Sequence, residues 1–202
     1  MAKRQTVGMS VIISAIISLV TFLYKCIIGV ITASNILIVA SMSVLLVFLC
    51  KIIFIKDLYQ SRATKKRAYF FMALLAAAYG VLFLLFDVFK IGGINTAKQN
   101  TFSGWVGYLF ICFVILTFIL SLINLTGALH REDIIFIGLK EMIFVSALAD
   151  AVIIEEFLYK IILFNQNIPY MYYVDLYFPL GVGVFMLLIP VFMFIRFAKY
   201  VA

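Results

Sequence analysis

From Gln5 to Tyr24 the chain runs 20 residues without a charge, and after the single Lys25 it runs another 25 to Cys50. Each run has the length a helix needs to cross about 30 Å of hydrocarbon, roughly 20 apolar residues. In lipid no water satisfies the backbone, so such a segment must make its hydrogen bonds internally, as a helix does. The composition agrees, with 66% hydrophobic and 12% charged residues and a mean hydropathy of +1.21. A soluble domain carries about 45 to 50% apolar and about 25% charged residues. A soluble globular protein is excluded. The 202 residues accommodate about six spans with short connections and leave nothing for an extramembrane domain.

Read along the chain, the spans fall at about 7–31, 36–55, 68–90, 105–129, 136–164 and 176–195, with the fifth starting as early as Ile134 or as late as Met142. The polar turn Thr32-Ala33-Ser34-Asn35 joins the first two in a hairpin, and a connection beginning Gly92-Gly93 precedes the fourth. Lys3 and Arg4 ahead of an apolar run resemble a signal peptide, but the run is too long for one, so an uncleaved first span is expected. The sixth span follows the aromatic connection Tyr170-Met171-Tyr172-Tyr173, suited to a membrane interface, and holds Pro179 and Pro190, the latter where a kink is expected. The expected class is all-α: one transmembrane domain over residues 1–202, a polytopic bundle of six transmembrane helices.

Of 16 Lys plus Arg against 9 Asp plus Glu, net charge +7, most fall on one side of this arrangement. Lys3, Arg4, Lys51, Lys56, Arg62, Lys65, Lys66, Arg67, Arg131, Lys140, Arg196 and Lys199 share that side, against Lys90 and Lys98 opposite. The positive-inside rule then places both termini in the cytoplasm of a multi-pass cell-membrane protein. The basicity marks lipid headgroups as the partner, not nucleic acid. Cys26, Cys50 and Cys112 show no CxxC spacing and indicate neither disulfides nor zinc.

The chemistry of several enzyme classes is missing. The single histidine, His130, cannot build an HExxH zinc site and sits at a span edge, wrong for an intramembrane hydrolase. Gly181-Val182-Gly183 lacks a third glycine and a preceding strand, and no GxxxxGKS/T occurs. No enzyme activity and no cofactor are expected. Ala73, Ala76, Ala77, Ala78 and Gly80 form a small-residue face in the third span, suited to close helix packing.

An ionisable residue inside a span costs about 2.5 to 3.5 kcal/mol and is a functional candidate by default. The set here is Lys25, Asp87, Asp150, Glu155, Glu156 and Lys160. Glu156 and Lys160, four apart in the favourable order, pair on one helix face. Depth measured from the outer span ends matches Glu155 to Lys25 and leaves Asp150 deepest and apart. Asp150 lies among Ala147, Ala149 and Ala151, where close packing against a neighbouring span is available.

Gly29-Val30-Ile31-Thr32-Ala33-Ser34 leading into Leu37-Ile38-Val39, and Ala149-Asp150-Ala151 after Leu139-Lys140 and Ser146-Ala147-Leu148, resemble the first-to-second hairpin and the fifth helix of cation diffusion facilitators. That resemblance implies six spans, cytoplasmic ends and exchange of divalent metal for protons. It also implies metal ligands four apart on spans two and five, which fall here on Ser43 and Val47 and on Ile153 and Phe157. None of these binds zinc as histidine and aspartate do, and the family's cytoplasmic domain has no counterpart, so a degenerate module without metal export is expected. The fifth helix is also similar to that of small uncharacterised six-span proteins of Gram-positive bacteria.

Two readings of function remain open. One is a transporter-like bundle, acting alone or as a subunit such as the substrate-capturing part of an energy-coupling factor transporter, with a polar pathway through spans one and five. The other is a non-transporting membrane partner, an assembly factor, regulator or immunity-type protein, in which the charges are structural ion pairs and a second membrane protein or a second copy is the partner. A reporter fused after Ala202 is expected to be active in the cytoplasm; activity outside would overturn the assigned topology.

Overall fold

Apolar runs this long bury their backbone polarity in their own hydrogen bonds, and the computed structural model is accordingly all helix. It describes residues 2–31, 35–57, 61–91, 105–129, 133–165 and 169–201. The hairpin residues Thr32-Ala33-Ser34, the Gly92-Gly93 connection and His130 lie outside the described residues, as do the side chains of Lys90 and Lys160. Among the described residues six helices follow in order: α1 (Ala2–Ile31), α2 (Asn35–Asp57), α3 (Arg62–Ile91), α4 (Trp105–Leu129), α5 (Ile134–Asn165) and α6 (Pro169–Val201). Stretches of α1, α2, α3 and α6 are long and apolar enough to cross a membrane: Met9–Ile31, Asn35–Asp57, Ala63–Phe89 and Leu176–Tyr200. The described part of α4 is apolar over Val114–Ala128.

The helices outrun the spans read from hydropathy, because a helix continues through the interface while hydropathy fades there. Tyr170 to Tyr173, expected as a connection, belong to α6. Pro169 opens that helix at the position where a missing N–H costs nothing, and Tyr173 and Tyr177 stack one turn apart with ring planes 5° from parallel. Helix α6 runs on through Pro179 and Pro190 as one element. Helix α5 takes the early start at Ile134: Asp133 caps it, its carboxylate accepting from the Ile135 N–H at 3.3 Å and its carbonyl from the Ile137 N–H at 3.2 Å. Asp133 also accepts from Lys65 Nζ at 3.1 Å, tying the starts of α3 and α5 together.

Helices α2, α3, α5 and α6 form the body of the bundle, and α5 packs against each of the other three. Their core has two layers. One gathers Cys50, Phe54, Tyr69, Met72, Met142 and Met193; the other gathers Ala40, Tyr79, Phe83, Ala149, Val152 and Met186. Helices α1 and α4 are outliers. Among the described residues the α1 backbone approaches α2 alone, and the α4 backbone approaches α5 alone.

The small-residue face of α3 meets α6. Ala73 and Ala76 are fully buried, and two glycines interlock reciprocally: a Cβ on Gly80 would lie 2.7 Å from Leu187 Cδ2, and one on Gly183 would lie 2.5 Å from Leu84 Cδ2 and 2.9 Å from its Cγ. Without a hydrophobic drive between helices in lipid, this close approach is what supplies packing energy. Gly183→Val is expected to cost about 1 to 3 kcal/mol by overpacking and to lower the melting temperature in detergent, whereas Gly181→Val, with open space around its Cα, should melt as wild type.

Candidate functional site

Because α1 and α4 stand apart from each other, the space between them is not closed by packing. It forms a cavity of about 680 Å³, with α2 and α5 as its floor. Each helix contributes a stripe at spacings of three and four, which places the residues on one face. The stripes are Ser14, Ser18, Thr21 and Lys25 on α1; Val44, Val47 and Lys51 on α2; Thr117, Ser121 and Asn124 on α4; and Lys140, Ile143, Ala147 and Asp150 on α5.

The wall of this cavity holds an ion pair between Lys25 and Asp150. Lys25 is 5% exposed and Asp150 14%. The partner expected for Lys25 was Glu155, and that expectation is corrected: Asp150 does not stand apart but takes the lysine. Depth counted from helix ends assumes that the ends are level, and here they are not. Asp150 lies 15 residues before the end of α5 and Lys25 only 6 before the end of α1, so α5 continues roughly 13 Å further beyond the pair. Glu155 and Glu156 then rise roughly 8 to 9 Å above Asp150, about level with the end of α1. Glu155 is half-buried and Glu156 buried on α5, and Asp87 is 2% exposed on α3. None of these three lines the cavity. The expected partner of Glu156, Lys160, lies outside the described side chains.

A second cation sits deeper along the same wall. Lys51, 6% exposed, donates to the Ser14 carbonyl at 2.9 Å and to Ser18 Oγ at 2.6 Å, drawing α1 onto α2. It had been read only as a topology marker. Lys140, likewise, lies over the Phe136 ring at 5.4 Å and lines the same cavity. On the α4 side, Thr117 and Ser121 donate to the Val114 and Phe118 carbonyls at 2.8 and 2.7 Å. Those bonds leave the hydroxyl oxygens as acceptors.

The opposite face of α5 carries a separate cluster that the sequence reading passed over. Glu141, adjacent to Lys140 but about 100° around the helix, forms an ion pair with Arg196 of α6 and accepts from Tyr69 OH of α3 at 3.0 Å. Arg196 also reaches the Tyr69 oxygen at 3.4 Å. This triad ties three helices at one end of the body, on the side away from the cavity.

Of the positions that the facilitator resemblance assigns to metal ligands, Ser43 shares a 2.9 Å hydrogen bond with Ser146 between α2 and α5, while Val47 and Ile153 are buried; the Phe157 side chain lies outside the described residues. Among the described residues no three of His, Cys, Asp and Glu gather into a metal-binding group. A signal for the cavity was present in the sequence: Ser14, Ser18, Thr21 and Lys25, and again Thr117, Ser121 and Asn124, repeat at helical spacing within otherwise apolar runs. No family model, no curated protein and no solved structure matches the chain.

Removing one member of a buried pair leaves an uncompensated charge, which costs about 3 to 5 kcal/mol, while replacing both by apolar groups is often neutral. Asp150→Ala and Lys25→Met are each expected to lower the detergent melting point sharply, and Lys25→Met with Asp150→Leu to recover most of the loss. A double variant no more stable than either single one would contradict the pairing.

Proposed function

We propose that the chain is a transporter-like bundle of the cell membrane, acting alone or as a transporter subunit, with both termini cytoplasmic. Its polar pathway is the cavity between α1, α2, α4 and α5. The observation that carries this reading is the Lys25 to Asp150 pair in the wall of an open cavity, since intramembrane charges cluster on substrate and ion paths. Glu155 and Glu156 continue the polar path toward the outer end of α5.

The arrangement of the helices supports movement. Among the described residues the backbones of α1 and α4 each approach a single neighbour, and their side chains on the two core layers, Val11, Ile28, Phe118 and Leu125, are partly buried ones, so a shift of either helix disturbs the edge of the core and not its centre. In such a shift the pair at Asp150 parts and exchanges its partner for substrate, proton or water, and closure on the opposite side restores it. The cost of parting the charges ties the motion to the arrival of something that replaces one of them.

Access to the cavity from both sides separates this reading from that of a non-transporting partner. In a background with Cys26, Cys50 and Cys112 replaced, Ser18→Cys and Ser121→Cys are expected to react with a membrane-impermeant thiol reagent from either face of sealed vesicles, and Asp150→Asn to change the ratio of the two rates. Reaction from one face only, unaltered by Asp150→Asn, would sink transport and leave the ion pair as a register-setting contact in a membrane partner.

A further inference from the structure

The Lys25 to Asp150 pair is balanced in charge but not in hydrogen bonds. Its contact joins Lys25 Nζ to Asp150 Oδ1. Among the described residues this leaves two of the three ammonium N–H groups, and the second carboxylate oxygen Oδ2, to the contents of the cavity that both residues line. Lys25 is 5% exposed and Asp150 14%, so little water reaches either. A buried polar group short of partners costs free energy, and a ligand that completes its bonds recovers that cost.

The hydroxyls beside the pair narrow the ligand. Thr21 and Ser146 stand one turn before Lys25 and Asp150 on the same helix faces, and both line the cavity. Thr21 gives its proton to the Ile17 carbonyl at 2.8 Å. Ser43 gives its own to the Ala40 carbonyl at 2.6 Å, which makes Ser146 the donor in the 2.9 Å bond between the two serines. Thr117, drawn toward that turn of α5 by the Phe118 and Phe144 rings 6.1 Å apart, donates to Val114. All three hydroxyls therefore offer oxygen and no hydrogen. Together with Asp150 Oδ2 they suit an ammonium group, while the remaining N–H groups of Lys25 suit a carboxylate. A ligand that brings one of these groups alone adds an uncompensated charge to a neutral site, which is costly away from water. One that brings both leaves the site neutral. Lys51 is held by Ser14 and Ser18 and Lys140 lies over Phe136, and neither enters this site. The lining runs along α5 from Lys140 to Asp150, roughly 15 Å by the helical rise. Its volume of about 680 Å³ lies within the roughly 300 to 1,000 Å³ of ligand sites, and Val114, Ile143 and Ala147 give it an apolar wall.

We infer that the cavity binds, at Lys25 and Asp150, a small zwitterion of the α-amino acid class with an apolar side chain. Its ammonium donates to Asp150 Oδ2 and to the Ser146, Thr21 and Thr117 oxygens, and its carboxylate accepts from Lys25. The two charges of an α-amino acid are borne on one carbon, close enough together to meet two side chains that touch. The apolar side chain lies against Val114, Ile143 and Ala147. The inference deepens the proposed function by naming a substrate class and rests on the same cavity, but binding does not require transport.

The test is thermal unfolding and equilibrium binding of the full chain in mild detergent with L-leucine, L-isoleucine, L-methionine and L-phenylalanine. Each is compared with its decarboxylated amine and its deaminated acid, which for leucine are isopentylamine and isocaproate. At least one amino acid is expected to raise the melting temperature saturably, and its two single-charge analogues to bind about a hundredfold more weakly or worse. Lys25→Met combined with Asp150→Leu, the double variant expected to keep its stability, should lose the binding. Ser146→Ala, which removes an acceptor and no charge, should weaken it about tenfold, and Gly181→Val, outside the cavity, should keep it. No shift with any of the four amino acids, or an analogue as effective as its parent, would overturn the inference. So would undiminished binding in the double variant, or in Ser146→Ala should the double variant not fold. Amino acid binding with thiol access from one face only upholds the inference and leaves a binding protein that does not transport. Two-sided access without amino acid binding overturns it and leaves a transporter of another ligand.

Discussion

A charge placed in hydrocarbon must find a partner, and in this bundle the pairing of Lys25 with Asp150 is the contact on which the rest of the site depends. Helix α1 reaches the body by backbone packing only through α2. The lysine spans the remaining distance to α5 with its flexible stem, across 125 residues of sequence. It thereby fixes how far α1 stands from α5, and so the width of the cavity floor. Lys51 acts in the same direction from α2, holding α1 by its Ser14 carbonyl and Ser18 hydroxyl. A peripheral helix held by polar contacts and not by a dry seam is held firmly only while those contacts last.

Helix α5 is the element that makes this possible. It is the only helix that packs against four others among the described residues, and it carries charge on two faces. Lys140 and Asp150 look into the cavity, while Glu141 turns toward Tyr69 and Arg196. The Glu141 cluster binds α3, α5 and α6 into one unit, and the glycine-to-leucine contacts between α3 and α6 stiffen it further. The bundle thus divides into a closely packed body and two lightly attached helices, with Lys25, Lys51, Lys140 and Asp150 placed between them.

Much of this was legible residue by residue. The helical runs and the packing role of Ala73, Ala76 and Gly80 follow from local pattern, whereas the start of α5 stayed open between Ile134 and Met142 until the Asp133 cap placed it at Ile134. Lys25 and Asp150 were recognisable as costly charges, but their pairing was not, because counting residues from helix ends presumes level ends. Lys51, Lys140 and Arg196 looked like loop charges because they lie near span boundaries, where a lysine or arginine that snorkels to the interface and one that points inward read alike. Glu141 was hidden by its neighbour Lys140, since adjacent residues on a helix point to different faces.

The sequence by itself determined that the chain is helical, that it crosses a membrane, and that certain charges must be satisfied inside it. These are consequences of free energies per residue, which hydropathy sums locally. Only the tertiary structure decided which charge satisfies which, that α5 overhangs α1, and that the polar stripes of four helices converge on one cavity. Those outcomes depend on the rotation and vertical offset of each helix against its neighbours, and side-chain packing sets both across distances that no window along the chain can span.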